Sequence, residues 1–152
     1  MVKNMARLKG LTMRPLKESE IALLPKLWDD SGLPYKPAGR DSLKKLRAQR
    51  KADMDLFIGV FQGKKMVAAA IASDDGRKGW INRLAVLPDM RGKGIAVALI
   101  SECEKILRRK GIRLFCVHIE GYNSESMRLF EKAGYKKEED IFYYTKRELD
   151  SY

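Results

Sequence analysis

The segment Asn82-Arg-Leu-Ala-Val-Leu-Pro-Asp-Met-Arg-Gly-Lys-Gly-Ile-Ala96 decides how this chain is read. Its first half is an apolar strand-like run through Leu87, and Pro88-Asp89 ends it. Its second half carries Gly92 and Gly94, and a long amphipathic stretch follows. Ile95, Leu99, Ile100, Cys103, Ile106 and Leu107 recur at helical spacing through Arg109, and Gly111 stands where a C-terminal glycine belongs. A strand that passes through a glycine turn into a helix leaves the first helical N–H groups without acceptors. Those donors and the helix dipole attract an anion. Gly92 and Gly94 let the backbone approach a phosphate with no Cβ in the way, and Arg91 and Lys93 add positive charge. The turn therefore predicts a phosphate cradle. The order is not Gly-x-Gly-x-x-Gly, and no Gly-Lys-Ser/Thr is present, which disfavours a dinucleotide-dependent dehydrogenase or a P-loop NTPase. On this segment alone, an ordinary strand-to-helix turn with basic solvation remains the alternative.

Working outward toward the N-terminus, Gly79 to Val86 reads as the strand that feeds the turn. Leu56 to Phe61 and Lys65 to Ala72 form a hairpin around Gln62-Gly63-Lys64, and Asp74-Asp75-Gly76 turns the chain again. Upstream, Asp41 is expected to cap a charged helix through about Lys51, and Ser31 to Gly39, with two prolines and two glycines, is a loop. Ser19 is a candidate cap for a helix carrying Ile21, Leu24, Leu27 and Trp28, and Leu11 to Leu16 is a first strand. Toward the C-terminus, Leu114 to Ile119 is a strand, Asn123 caps a short helix ending at Gly134, and Ile141 to Thr145 is a last strand. The order is mixed α/β: antiparallel strands, then strand–helix–strand–helix–strand. No linker divides it, so residues 1–152 are expected to form a single domain, with 1–9 a flexible basic lead-in.

Composition narrows the class. A chain of 152 residues suits one sizeable core, and 45% hydrophobic with 34% charged residues is globular rather than disordered. Apolar runs such as Met66 to Ala72 are too short to span a bilayer, and no secretory h-region is present, so no membrane role and a cytoplasmic location are expected. Cys103 and Cys116 lack a CxxC neighbour and read as free thiols, and no metal site is expected. The formal net charge of +11 is spread among acidic residues with no nucleic-acid motif, which disfavours a nucleic-acid partner. A polyanionic ligand would use a few of these charges.

At this point the sequence resembles the GNAT superfamily of N-acetyltransferases. Arg91-Gly-Lys-Gly-Ile-Ala96 matches the superfamily's Arg/Gln-x-x-Gly-x-Gly/Ala signature, and Arg83-Leu-Ala-Val-Leu-Pro88 is similar to its fourth strand. Asn123-Ser-Glu-Ser-Met-Arg-Leu-Phe-Glu-Lys-Ala-Gly-Tyr135 resembles its Asn-x-x-Ala/Ser helix with a following Leu-Tyr-Glu-Lys-x-Gly-Phe. The resemblance implies a central, mostly antiparallel twisted sheet of about six or seven strands, its parallel fourth and fifth strands splayed, flanked by about four helices. It implies acetyl-CoA as cosubstrate and an amine acceptor: a protein N-terminus, a lysine or a small molecule. Leu84, Ala85 and Val86 would meet the pantetheine arm. Arg91, Gly92, Lys93, Gly94, Ile95 and Ala96 would hold the pyrophosphate. Asn123 would reach the pantetheine, with Ser126 and Phe130 near the thiol. Many relatives dimerise, so a homodimer stays open.

Two departures matter for catalysis. Where many relatives place a tyrosine to protonate the leaving thiolate, this chain has Phe130, which has no proton to give; Tyr143, Tyr144, Tyr122 or water are the substitutes. Where some relatives carry a fourth-strand glutamate, this chain has Asn82 and Arg83. Relatives that acetylate ribosomal-protein N-termini carry a glutamate on the fifth strand, five residues before the Asn. The matching residue here is His118, the only histidine, and imidazole changes charge near neutral pH. His118 is thus the candidate base, with Glu120 a second choice and Tyr143 a candidate acid. A purely structural His118, and a CoA-binding regulatory protein that has lost catalysis, are the alternatives.

Overall fold

Packing begins at the strand Lys65–Asp74, where every residue from Met66 to Ala72 is buried. Its alanines keep both faces shallow, so helices can approach a strand covered on both sides. We describe residues 8–152 from a computed structural model. The strands are β1 (Thr12–Pro15), β2 (Phe57–Gln62), β3 (Lys65–Asp74), β4 (Gly79–Val86) and β5 (Phe115–Cys116), in the sheet order β1-β2-β3-β4-β5. The first four pair antiparallel and β4 pairs parallel with β5. The helices are α1 (Leu24–Ser31), α2 (Leu43–Ala52), α3 (Ile95–Arg109) and α4 (Ser124–Lys132). Both α1 and α3 pack on β3 and β4. This is the mixed α/β architecture with splayed parallel strands that the sequence predicts.

The spacing that predicts α3 fixes its packing. Ile95, Leu99, Ile100, Cys103, Ile106 and Leu107 are buried, and the helix keeps the range read from sequence. Burial pushes the Cys103 thiol up to about 12, so it is a packing group with no thiolate at neutral pH. Lys110, just past this helix, is held between Asp53 and Asp74, which ties the α3 terminus to the chain entering β2 and to the end of β3.

Several expectations need correction. The first helical stretch divides into a 3-10 segment, Glu18–Leu23, and α1, because Pro25 lacks the N–H to continue the earlier turn and suits the first turn of a new helix. Ser19 caps neither; Glu20 accepts from the Lys17 N–H at 2.8 Å and from both Arg14 guanidinium nitrogens at 2.9 and 2.7 Å. Ser42, not Asp41, caps α2, its Oγ accepting from the Lys45 N–H at 3.4 Å. The strand expected over Leu114–Ile119 contracts to Phe115–Cys116, and Ile141–Thr145 forms no strand. A strand exists only through its ladder, and Ile141, Phe142, Tyr143 and Tyr144 are largely exposed and pair with no strand. Among the described residues the sheet therefore has five strands, not six or seven. Of the lead-in expected over 1–9, residues 1–7 lie outside the described residues; Leu8 begins a turn closed by the Leu11 N–H on its carbonyl at 2.8 Å.

Arg14 holds the Glu20 carboxyl down at about 2, which links β1 to the 3-10 segment. A carboxyl whose folded pKa is depressed stabilises above its unfolded value and loses that contribution as pH falls through the folded one. The stability difference between the wild type and Glu20→Gln, measured by urea unfolding, should be full above the ordinary carboxylate range and vanish as pH drops toward about 2.

Candidate functional site

The site is organised by β4 and the turn that follows it. Along β4, Arg83 pairs with Ile71 and Ile81 with Ala72, so Asn82 is an extra residue, a β-bulge. Its side chain is fixed on the sheet by donation from Nδ2 to Ser73 Oγ at 2.7 Å. The bulge reverses which amides face which neighbour. Before it, the Gly79 N–H donates toward β5, to Leu114 C=O at 2.9 Å. After it, the Leu87 N–H donates toward β3, to Val67 C=O at 2.9 Å, so alternation turns the amide groups of Val86 and Leu84 to the β5 edge.

No strand meets them there. The β4–β5 ladder consists of Gly79↔Phe115 and Trp80↔Cys116, and beyond Trp80 the two strands separate. Leu84 thus offers its N–H and C=O, and Val86 its N–H, to the space where the strands part, while the Val86 carbonyl accepts from Arg91. Ala85 is buried and its amide groups turn to β3, so it supplies a wall of the gap rather than a hydrogen bond.

The turn continues directly from this edge. Gly92 and Gly94 have φ of +75° and +82°, a region that penalises any side chain, and nothing lies within 4 Å of where a Gly92 Cβ would be. The first helix-closing bond is the Ala98 N–H to Gly94 C=O at 3.1 Å, so the amides of Ile95, Ala96 and Val97 precede the internal ladder. Successive N–H groups around left-handed glycines at a helix N-terminus form an anion-binding concavity. The turn thus has the open amides and the bare glycine positions that the anion cradle expected from the sequence would need.

The basic side chains divide. Lys93 is exposed beside the turn. Arg91 is a brace: its guanidinium donates to Ser31 C=O at 2.9 Å, at the C-terminus of α1, and to Val86 C=O at 3.2 Å. Asn123 caps α4, accepting from the Ser126 N–H at 3.1 Å. Ser126 is half-buried, while Phe130 is 3% exposed and packs edge-on against Tyr135 at 5.1 Å. Phe130 is therefore a core side chain.

His118 sits where the strands part. Its ring stacks at 4.7 Å on Trp80, the last paired residue of β4, and at 4.4 Å on Tyr143 from the C-terminal segment. Two of the three candidate catalytic side chains, His118 and Tyr143, are thereby brought together. Glu120 is not part of the stack; its side chain is exposed and its carbonyl accepts from the Asn123 N–H at 2.9 Å. The place of Trp80 in this stack is set by tertiary contact, which leaves no periodic signal in the sequence that would identify it.

Asp41 is the second residue whose role sequence reasoning missed. It is 7% exposed, and its Oδ2 accepts from Arg83 at 2.7 Å and from the Lys36 N–H at 2.7 Å. Arg83 also donates to Pro34 C=O at 3.2 Å and lies 5.8 Å from the centre of the Trp28 ring. One arginine beside the bulge thus holds the whole 34–41 loop against β4. Among the described residues no group of histidine, cysteine and carboxylates is arranged to hold a metal.

A bulged strand with an unpaired edge, next to a glycine turn of open amides, is an arrangement suited to a ligand that carries an anionic group. The sequence profile of the Acetyltransferase (GNAT) family matches residues 20–135. An acetyltransferase of Sodalis glossinidius (strain morsitans) is 28% identical over 142 residues, covering 92% of this chain and 97% of that protein. An acetyltransferase of Yersinia pestis (strain Pestoides F) is 30% identical over 117 residues, covering 76% and 80%. In fold, the chain is similar to the PaiA N-acetyltransferase of Thermoplasma acidophilum, solved in complex with coenzyme A, with a TM-score of 0.72 at 23% identity over 84% of this chain and 91% of that one. The chain belongs to the acetyltransferase (GNAT) family, and with it to the acetyl-CoA-dependent N-acetyltransferases.

Neutralising Asp41 should release the 34–41 loop. Asp41→Asn is expected to cost about 1–3 kcal/mol, because it weakens two buried charge-assisted bonds. Thermal unfolding should show the loss, and Arg83→Gln should match it with little further effect in the double variant.

Proposed function

We propose that this chain transfers the acetyl group of acetyl-CoA to a primary amine by direct attack on the thioester. The observation that carries the reading is the reversal at Asn82, which turns the Leu84 and Val86 amides into the gap beside the Gly92–Gly94 turn. In this reading the backbone of Arg91–Ala96 binds the diphosphate, and Lys93 adds charge. Leu84 and Val86 bind the pantetheine amides while Ala85 packs against them. Asn123 and Ser126 close the opposite side, with Phe130 as a buried wall.

Acetyl-CoA supplies the activated carbonyl. His118, directly or through one water, takes the proton from the ammonium so that the nitrogen has a lone pair. The nitrogen–carbon bond forms, and the carbonyl oxygen takes up negative charge that a β4 N–H stabilises. The carbon–sulfur bond then breaks, and the thiolate receives a proton from the Tyr143 phenol or from solvent. The products are the acetamide and free CoA thiol. Tyr143 suits the acid role better than Phe130 because it has a proton and touches His118. Glu120 is the reserve base, lying two residues along the same segment.

Two measurements test this. Gly94→Val puts a β-branched side chain at a φ of +82° and into the cradle, so titration calorimetry on the folded variant should show acetyl-CoA affinity falling by at least tenfold, beside a urea-stability loss of about 1–2 kcal/mol from the backbone strain. His118→Ala should lower kcat by about 10²–10⁴-fold, the usual yield of general-base catalysis, with acetyl-CoA affinity retained. Unchanged kcat at every pH would remove His118 from the mechanism.

A further inference from the structure

A cavity of about 600 Å³ lies between the 34–41 loop and the C-terminal segment, and no reading of the carrier site uses it. Tyr143, Arg40, Lys146, Arg147, Glu148 and Tyr152 are among the residues that line it. It adjoins the gap between β4 and β5 through two ring-to-ring steps, Trp80 to His118 at 4.7 Å and His118 to Tyr143 at 4.4 Å. Tyr143 belongs to both places.

The walls are built rather than accidental. Gly39 is buried against the Ser151 backbone, so closely that a Cβ there would collide with the Ser151 carbonyl. Lys45 of α2 lies 4.1 Å from the centre of the Tyr152 ring. The loop that carries Arg40 is fixed to β4 through Asp41 and Arg83. The C-terminal segment is therefore docked on a loop that is itself docked on the catalytic strand.

The charge is one-sided. Three lining residues are cationic, and Glu148 is the single carboxylate. Among the described residues, neither Lys146 nor Arg147 has a carboxylate at ion-pair distance, and Arg40 has only Asp41 at 3.8 Å, which Arg83 already holds at 2.7 Å. From α2, which carries five Lys and Arg residues and no acidic one, Lys45 reaches this side of the molecule through its contact with the Tyr152 ring. Cations left unpaired around a concave surface focus a positive potential into it.

We infer that this cavity is the acceptor site and that the acceptor is an amine bearing an anionic group, a carboxylate or a phosphate, which Arg40 and Arg147 bind while the amine reaches His118. The inference rests on the transfer reaction proposed for the gap. A polyamine or another cationic acceptor would be repelled here, and a neutral amine would leave the guanidinium groups unused.

The test uses matched amines: O-phosphoethanolamine against ethanolamine, and 4-aminobutyrate against its neutral amide. Thiol release from acetyl-CoA should give kcat/KM at least about tenfold higher for the anionic member of one pair or both, and the pair that responds separates phosphate from carboxylate recognition. The preference should fall toward unity in Arg40→Gln/Arg147→Gln and with added salt, while the acetyl-CoA Kd stays unchanged. Equal or reversed preference, or a preference that the double variant retains, overturns the inference. Titration of the two anionic amines into the protein alone, followed by NMR, is independent of transfer. Saturable shifts at Tyr143 and Tyr152 that the double variant abolishes support the cavity even if acetyl-CoA fails to bind, which would instead sink the carrier reading. Absence of shifts with both anions overturns the cavity assignment while leaving the carrier reading intact.

Discussion

The whole site depends on one backbone constraint. β4 must keep its ladder with β3 to the end, yet it gives up its ladder with β5 after Trp80. Backbone donors and acceptors at a sheet interior have to be satisfied, and leaving Leu84 and Val86 without a strand would be costly unless water or a ligand takes the strand's place. The bulge at Asn82 is what makes those two residues, rather than their neighbours, face the gap. Without that one extra residue the same sequence would aim the amide groups of Arg83 and Ala85 there instead. The unpaired edge is tolerable because the rest of the sheet is firmly held: β3 is buried along most of its length, and α3 closes over β3 and β4.

The arginines around the turn reveal a division of labour. The side chains that look most suited to phosphate, Arg91 above all, are spent on backbone carbonyls that would otherwise lack partners, at Ser31 and Val86. Arg83 does the same for Pro34 and pairs with the Asp41 carboxylate. The cradle is left to main-chain amides, which carry no rotamer entropy and are already ordered by the start of α3. A guanidinium held at both ends by the fold keeps the turn in shape, which serves an anion better than a flexible cation that must first be ordered.

Legibility followed the range of the interactions. The strand Gly79–Val86, the helix Ile95–Arg109 and the Asn123 cap were readable because their causes are local: alternation, helical spacing and a side chain bonding three residues ahead. Asp41 was misread for the same reason. An aspartate before a helix is locally a cap, but a guanidinium from a strand more than forty residues later outbids the helix for its carboxylate, and adjacent Ser42 takes the capping role. Ile141–Thr145 has strand-forming residues, yet strand character needs a partner, and the edge it might have joined stops at Cys116. The bulge at Asn82 was invisible because nothing in Asn82 itself demands it; it follows from the register of β3 against the two halves of β4.

The location of His118 follows from the same geometry. In the proposed transfer, a base on the β5 segment reaches the gap best where the strands begin to part, the level at which that segment is still close to β4. His118 comes two residues after the last pair, and it is steadied there by Trp80, whose own backbone is fixed by pairing on both sides. Tyr143 packs against the ring from a segment outside the sheet. The imidazole therefore takes its position from a strand paired on both sides and from a segment outside the sheet. In the proposed reaction that arrangement lets the acceptor side vary in shape and charge while the Trp80 side of the stack stays fixed.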